Sequence, residues 1–238
     1  MPDDDALLRV EGLTGGYGAE TVLQGVDLSI AAGEIVAVIG RNGVGKSTLM
    51  RTLTGLLRPS GGRIALAGRD VTADSADRRA RAGIGYIPQG RDVFPDLTVR
   101  ENLLVGEVAG QGRARPDYDA VHGFFPVLRD RARQRAGTLS GGQQQQLAIG
   151  RALIGNPRLM LLDEPSEGIQ PSIIKDIARN VRTVNEATGM AVLLVEQNLD
   201  LIVSMAQRGY VMEKGRLVAQ LGRDEITSRE HVRRYLTI

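Results

Sequence analysis

The sequence predicts an α/β fold with a mainly parallel sheet, an N-terminal antiparallel β subdomain and an inserted helical subdomain. Three observations carry that reading. Short aliphatic runs recur at Ile35–Ile39 (IVAVI), Ile84–Ile87, Leu159–Leu162 and Ala191–Val195. They read as strands covered on both faces. Segments with helical spacing alternate with them, the pattern of parallel strands joined by helices. From about Thr98 to Leu153 the spacing is helical, and no convincing strand occurs.

The elements follow in order. Leu7–Glu11 and Val22–Ile30 alternate apolar and polar residues, as antiparallel strands with one exposed face do. After IVAVI, Gly40–Gly45 forms a turn and Lys46–Leu57 has helical spacing. Thr98-Val99-Arg100-Glu101 is a capping-box pattern at the start of a helix. Ala109–Pro116 reads as a glycine-rich loop. Ser140 is placed to cap a helix running from about Gln143 to Leu153. Pro171–Ala187 is a helix with its proline in the first turn and Ile173, Ile177, Val181 and Val184 along one stripe. Gly222–Ile238 reads as a single closing helix. The predicted division is one domain over 1–238, with a core of about 1–90 and 157–238 and a helical subdomain of about 91–156.

Composition excludes several functions. The chain has 238 residues, 42% of them hydrophobic, enough for a sizeable core. Aromatics are 3% and net charge is +2, which argues against a base-stacking surface. The arginine-rich stretches Arg78-Arg79-Ala80-Arg81 and Arg129–Arg135 are interleaved with acidic and apolar residues, so they read as solvated helix faces. No nucleic-acid partner is expected. There are no cysteines, which removes disulfides, thiolate catalysis and Cys-based zinc sites and fits a reducing compartment. Two histidines are too few for a histidine-rich metal site. The start MPDDDALL lacks an apolar signal core, and no apolar run approaches the ~20 residues that cross a bilayer. The expectation is a cytoplasmic protein that meets a membrane only through a partner.

The chemistry concentrates in three places. Gly40-Arg41-Asn42-Gly43-Val44-Gly45-Lys46-Ser47 fits G-x-x-x-x-G-K-[ST] between a buried strand and a helix, the mark of a P-loop NTPase core. Its glycines let backbone N–H groups, with the helix N-terminus, curl around phosphates. Lys46 can reach the β- and γ-phosphates of ATP, and Ser47 can ligate Mg²⁺; Thr48 belongs to the same turn. Leu159–Leu162 ends in Asp163-Glu164. Asp163 suits a magnesium-holding role, and Glu164 is then placed to orient or deprotonate a water. Leu139-Ser140-Gly141-Gly142-Gln143 opens a helix whose glycines expose N–H groups to an anion. Chance would place LSGGQ in roughly one chain in a thousand.

With these three motifs in this order, the chain resembles the ATP-binding subunits of ABC transporters over nearly its whole length. The resemblance implies further roles. Tyr17, in Gly15-Gly16-Tyr17-Gly18, matches an aromatic that stacks on adenine. Gln89, in Tyr86-Ile87-Pro88-Gln89, matches a glutamine that contacts Mg²⁺ and the attacking water, and Val93-Phe94-Pro95 would lie near a membrane subunit. Ser166–Gln170 matches a loop at the interface between two cassettes, with glutamine at 170 where the family has aspartate. Gln197, in VLLVEQN, stands where most of the family has histidine against the γ-phosphate. A glutamine amide donates and accepts but carries no proton, so the resemblance leaves Glu164 as base and Gln197 as a phosphate sensor.

Glu196-Gln197-Asn198, Ile87–Arg91 and Leu139–Leu147 are similar to the branched-chain amino acid class, and Glu167–Ile177 (EGIQPSIIKDI) with GRNGVGK to its urea-transport subunits. That class implies a second ATPase subunit, two membrane-spanning permease subunits and, indirectly, a periplasmic solute-binding protein. The chain would be peripheral on the cytoplasmic face of the membrane. Ser140, Gly141, Gly142 and Gln143 would then cover the ATP held by the partner cassette. DNA-repair ATPases with these motifs carry a long coiled coil between them, and the residues from Lys46 to Leu139 show no sustained heptads.

Overall fold

In the computed structural model, which describes residues 6–110 and 115–237, two sheets share one core. Strands β1 (Ala6–Tyr17) and β2 (Glu20–Ala31) form a long antiparallel hairpin, as their alternation predicts. With β4 (Gly61–Leu66) and β5 (Arg69–Asp70) they make a four-stranded sheet of order β2-β1-β4-β5. The second sheet runs β10-β9-β3-β8-β7-β6. In it β3 (Ile35–Ile39), β6 (Ile84–Ile87), β7 (Leu159–Asp163) and β8 (Ala191–Glu196) are the four predicted strands. Their pairings are parallel, and β9 (Arg208–Glu213) joins β3 in the same sense. Only β10 (Arg216–Leu221) turns back, antiparallel to β9. The sheet is thus mixed and mainly parallel. All residues of β3 and β7 are buried, which is why their sequences do not alternate.

Helix α1 (Lys46–Thr54) is shorter than predicted, because Gly55 takes a left-handed conformation (φ 81°) and its N–H closes on Thr52 O. Helices α3 (Val99–Gly110), α4 (Tyr118–Phe124), α5 (Pro126–Asp130) and α6 (Gly141–Ile154) fill the stretch between β6 and β7. The predicted capping box forms: Thr98 N–H donates to Glu101 Oε2 at 2.7 Å, and Glu101 N–H to Thr98 Oγ1 at 3.2 Å. Of the predicted loop 109–116, Ala109 and Gly110 belong to α3 instead, and 111–114 lie outside the described residues. Small residues set the spacing of α6 against α3 and α5. A Cβ on Gly106 would fall 2.1 Å from Arg151 O, and one on Gly150 would fall 2.8 Å from Leu128 Cδ1.

Helix α7 (Pro171–Thr188) buries Ile177, Val181 and Val184 of the predicted stripe and leaves Ile173 half-buried. After α8 (Leu199–Met205) and the β9–β10 hairpin, the closing segment is two helices, α9 (Arg223–Thr227) and α10 (Arg229–Thr237), not one. Ser228 breaks it. Its backbone is extended, its N–H closes α9 on Glu225 O, and its hydroxyl accepts from His231 N–H in the next turn.

The arginines of α2 (Ala76–Ala82) depart from the expected solvated face at one position. Arg78 and Arg81 are exposed, as expected, but Arg79 is 1% exposed. Its guanidinium donates to Thr52 O (2.6 Å), Leu53 O (2.9 Å), Thr72 O (2.8 Å) and Asp74 O (3.1 Å). Two of these are carbonyls at the C-terminus of α1, which lack partners within the helix and carry its negative dipole end. Burial lowers the Arg79 pKa from its ordinary value, with Asp74 and Asp70 pulling the other way. Arg79→Ala should destabilise the fold by about 2–4 kcal/mol in urea titration, since several buried carbonyls lose their donors. Arg79→Lys should recover only part, because three donors on a flexible stem cannot reproduce the planar fork. An unchanged unfolding midpoint in Arg79→Ala would contradict this capping role.

Candidate functional site

The carboxyl ends of β3, β6, β7 and β8 lie side by side and carry polar residues where the aliphatic runs stop. Parallel sheets place ligand crevices outside that edge. At the end of β3, Gly40–Gly45 turns the chain into α1. Gly45, with φ 112°, is the N-cap of α1, a conformation that favours glycine. The turn is held from behind: Gly215 N–H, between β9 and β10, donates to Val44 O at 2.8 Å. A Cβ on Gly40 would meet Met212 O at 2.7 Å. Arg41, Asn42 and Gly43 face solvent, and Thr48 is buried in the first turn of α1.

Lys46 is 3% exposed, and its Nζ donates to Gly40 O (2.8 Å) and Arg41 O (2.9 Å). It also pairs with Glu164 Oε1 at 2.9 Å. Glu164 is itself buried, just past β7, and holds a left-handed φ of 45° before Pro165. That conformation is strained for a side-chain-bearing residue preceding proline, by about 1–3 kcal/mol. Glu164 N–H donates to Val195 O at 2.9 Å, so β8 fixes its backbone.

Asp163 ends β7 and faces α1. Ser47 Oγ donates to its Oδ1 at 3.1 Å and Tyr86 OH to its Oδ2 at 3.2 Å. Burial pushes the Asp163 carboxyl above its usual value; the Ser47 and Tyr86 hydrogen bonds oppose this, the charge of Glu164 adds to it, and Lys46 opposes it again. Tyr86, on β6, has its own pKa raised by burial and by the Asp163 charge. No cluster of three or more His, Cys, Asp or Glu side chains suited to a metal occurs among the described residues. One hydroxyl and one carboxylate, both hard oxygen donors, fit Mg²⁺, which takes few protein ligands and shares phosphates and water.

The other predicted residues divide into those brought to this edge and those turned elsewhere. Tyr17 is 44% exposed at the end of β1 and accepts from Arg51 of α1 at 3.4 Å. Gln197 is exposed just after β8. Gln89 is exposed on the segment after β6. Its Nε2 donates to Glu167 Oε2 at 2.6 Å, so its amide is engaged by the loop after Glu164. Tyr86 stands beside Asp163. Ser140 and Gln143 form a capping box at the start of α6. Gly142 packs there so closely that a Cβ would sit 2.6 Å from Ile173 Cγ2; Gly141 faces the Arg91 guanidinium. Gln170 is the N-cap of α7, with no capping bond from its side chain, where the aspartate common in the family would be a natural cap. Sequence reading missed Tyr86 and Glu196. Glu196, in the quoted EQN triplet, is 1% exposed and accepts three backbone N–H groups. The signal was an acidic residue closing a wholly aliphatic strand.

A family model described as ABC transporter matches residues 23–167. The chain is 44% identical over 206 residues to the high-affinity branched-chain amino acid transport ATP-binding protein BraG of Pseudomonas aeruginosa, covering 85% of this chain and 87% of that one. It is 34% identical over 234 residues to the lipopolysaccharide export system ATP-binding protein LptB of Acidithiobacillus ferridurans, covering 95% of each. Among solved structures, a nucleotide-free ATP-binding cassette from an ABC transporter superposes with a TM-score of 0.84 at 30% identity, over 98% of this chain and 100% of the other.

The Asp163 shift sets a pH dependence. Its carboxyl is raised, so in the native protein it stays protonated to higher pH than in the unfolded chain. Its contribution to stability is therefore present below the unfolded value and lost as pH rises through the native one. A divalent cation competes with that proton. Magnesium added with ATP should raise the melting temperature more at pH 8 than at pH 5, and Asp163→Asn should remove most of that difference. An Asp163→Asn protein with the wild-type magnesium response at both pH values would exclude Asp163 as the ligand.

Proposed function

The chain belongs to the ABC transporter family as an ATP-binding subunit, an ATPase, and from that premise we propose that it powers an importer of branched-chain amino acids. The observation that carries the hydrolytic part is the Lys46–Glu164 pair at 2.9 Å, beside Ser47 and Asp163. When ATP enters, Lys46 exchanges the two loop carbonyls and Glu164 for the β- and γ-phosphates. Glu164, released from its cation, accepts a proton from the water that attacks the γ-phosphorus, and ADP leaves. Ser47 and Asp163 would hold the magnesium ion, which neutralises phosphate charge. Gln197 donates its amide to the γ-phosphate. Tyr17 offers its ring to adenine. Gln89 serves the site only on leaving Glu167.

The assembly is proposed on the same footing. Core and helical subdomain divide near 90 and 157, and the Ser140–Gln143 turn covers the nucleotide of a second cassette. No helix among the described residues is long and apolar enough to cross a membrane, so permease subunits would supply the pathway. A cavity of about 270 Å³ lined by Leu56, Val105 and Arg151, with exposed Phe94 against the Arg151 guanidinium, is the face we assign to them. For the solute, BraG, named for branched-chain amino acid transport, supports that reading. EGIQPSIIKDI favours urea as the second.

Glu164→Gln should lower phosphate release by about 10²-fold or more while keeping ATP binding; wild-type turnover in that variant would remove Glu164 as base. Uptake of labelled leucine and labelled urea, in cells with and without the gene, separates the solutes. Loss of leucine uptake alone supports the first reading. Loss of urea uptake alone replaces it with the second.

A further inference from the structure

Gln197 and Glu164 sit on different segments, yet hydrolysis as proposed needs them at a set separation. One buried side chain joins the two segments. Glu196 ends β8, paired with Ile39 at the start of the glycine turn. Its Oε1 accepts from the N–H groups of Gln197 (2.8 Å) and Asn198 (3.0 Å), closing the turn that presents Gln197. Its Oε2 accepts from Ser166 N–H (3.3 Å), two residues after Glu164. Each carboxylate oxygen therefore serves a different segment. Asn198 extends the arrangement: its Oδ1 accepts from Asp200 and Leu201 N–H and starts α8. The backbone pairing of β7 with β8 ends at Glu164 N–H to Val195 O; beyond it both loops leave the sheet, and charge-assisted bonds to backbone N–H are the strong kind.

We propose that Glu196 is a positioning residue for ATP hydrolysis, fixing the Gln197 turn and the loop after Glu164 relative to each other. The proposal rests on the hydrolytic reading above. It assigns Glu196 no contact with nucleotide or water; it acts through the backbone of Gln197 and Ser166.

The chemistry supplies a selective test. In Glu196→Gln, the one remaining oxygen can still take the Gln197 and Asn198 N–H groups. The new amide nitrogen then faces Ser166 N–H, donor against donor, so the side-chain link to the loop after Glu164 is cut while the Glu164 N–H to Val195 O bond remains. Phosphate release and ATP binding would be measured on the full chain with Mg·ATP, across protein concentrations, for wild type, Glu196→Gln, Gln197→Ala and the double variant. The expected result is a kcat lowered about tenfold or more in Glu196→Gln, for one charged hydrogen bond lost. ATP affinity and melting temperature should stay near wild type. The double variant should lose less than the product of the two single losses, because both act on one geometry. Wild-type kcat in Glu196→Gln would overturn the proposal. So would parallel losses of kcat, affinity and melting temperature, the mark of a merely structural residue. A wild-type chain that binds ATP but releases no phosphate at any concentration would instead sink the hydrolytic reading, and this proposal with it.

Discussion

Lys46 is taken almost wholly out of water, and a buried ammonium costs several kcal/mol unless its donors are met. Here three oxygens meet them: two carbonyls of the glycine turn and the Glu164 carboxylate. That one cation ties the end of β3 to the end of β7. The turn cannot relax outward without stranding it, and Glu164 cannot leave without unpairing it. Neither partner is in its own lowest state: Glu164 carries left-handed backbone strain, and the neighbouring Asp163 is pushed toward its neutral form. In the proposed reaction, phosphate oxygens would replace Glu164 on Lys46 and a divalent cation would meet Asp163.

The parallel sheet makes this possible. Its strands end together, so residues distant in sequence come within hydrogen-bond reach: Ser47 with Asp163, Tyr86 with Asp163, Ser166 with Glu196. The glycine turn is held from below by the β9–β10 hairpin, through Gly215 and Met212. The C-terminal hairpin is therefore part of the site's foundation although it contributes no functional side chain.

The helical insert is attached at two loops rather than by a shared core face alone. Arg91, with φ 75°, reaches Gln144 at 3.4 Å and Glu167 O at 3.3 Å, and Asn102 locks the 94–98 loop through both carbonyl and amide groups. Gln89 and Arg91 both contact Glu167. The loop after Glu164 thus touches the segment entering the insert, as well as the end of β8.

What the sequence determined by itself was local. The buried strands, the glycine turn with Lys46 and Ser47, Asp163-Glu164, the Thr98–Glu101 capping box and the Ser140 cap depend on spacings of a few residues, and each formed as its pattern requires. The fold class followed, because strands and helices alternate visibly. Tertiary structure decided which polar groups are buried and against what. Arg79 looks like its solvated neighbours in sequence, but the end of α1 makes it a buried cap. Glu196 looks like a strand terminus, but two loops make it a shared acceptor. Gln89 bonds Glu167, and Tyr86 bonds Asp163, pairings between segments far apart in sequence. Ser228 split the closing helix. The physical reason is common to these cases: a polar group's cost or benefit is set by partners that the chain brings from far away, and no local periodicity encodes them.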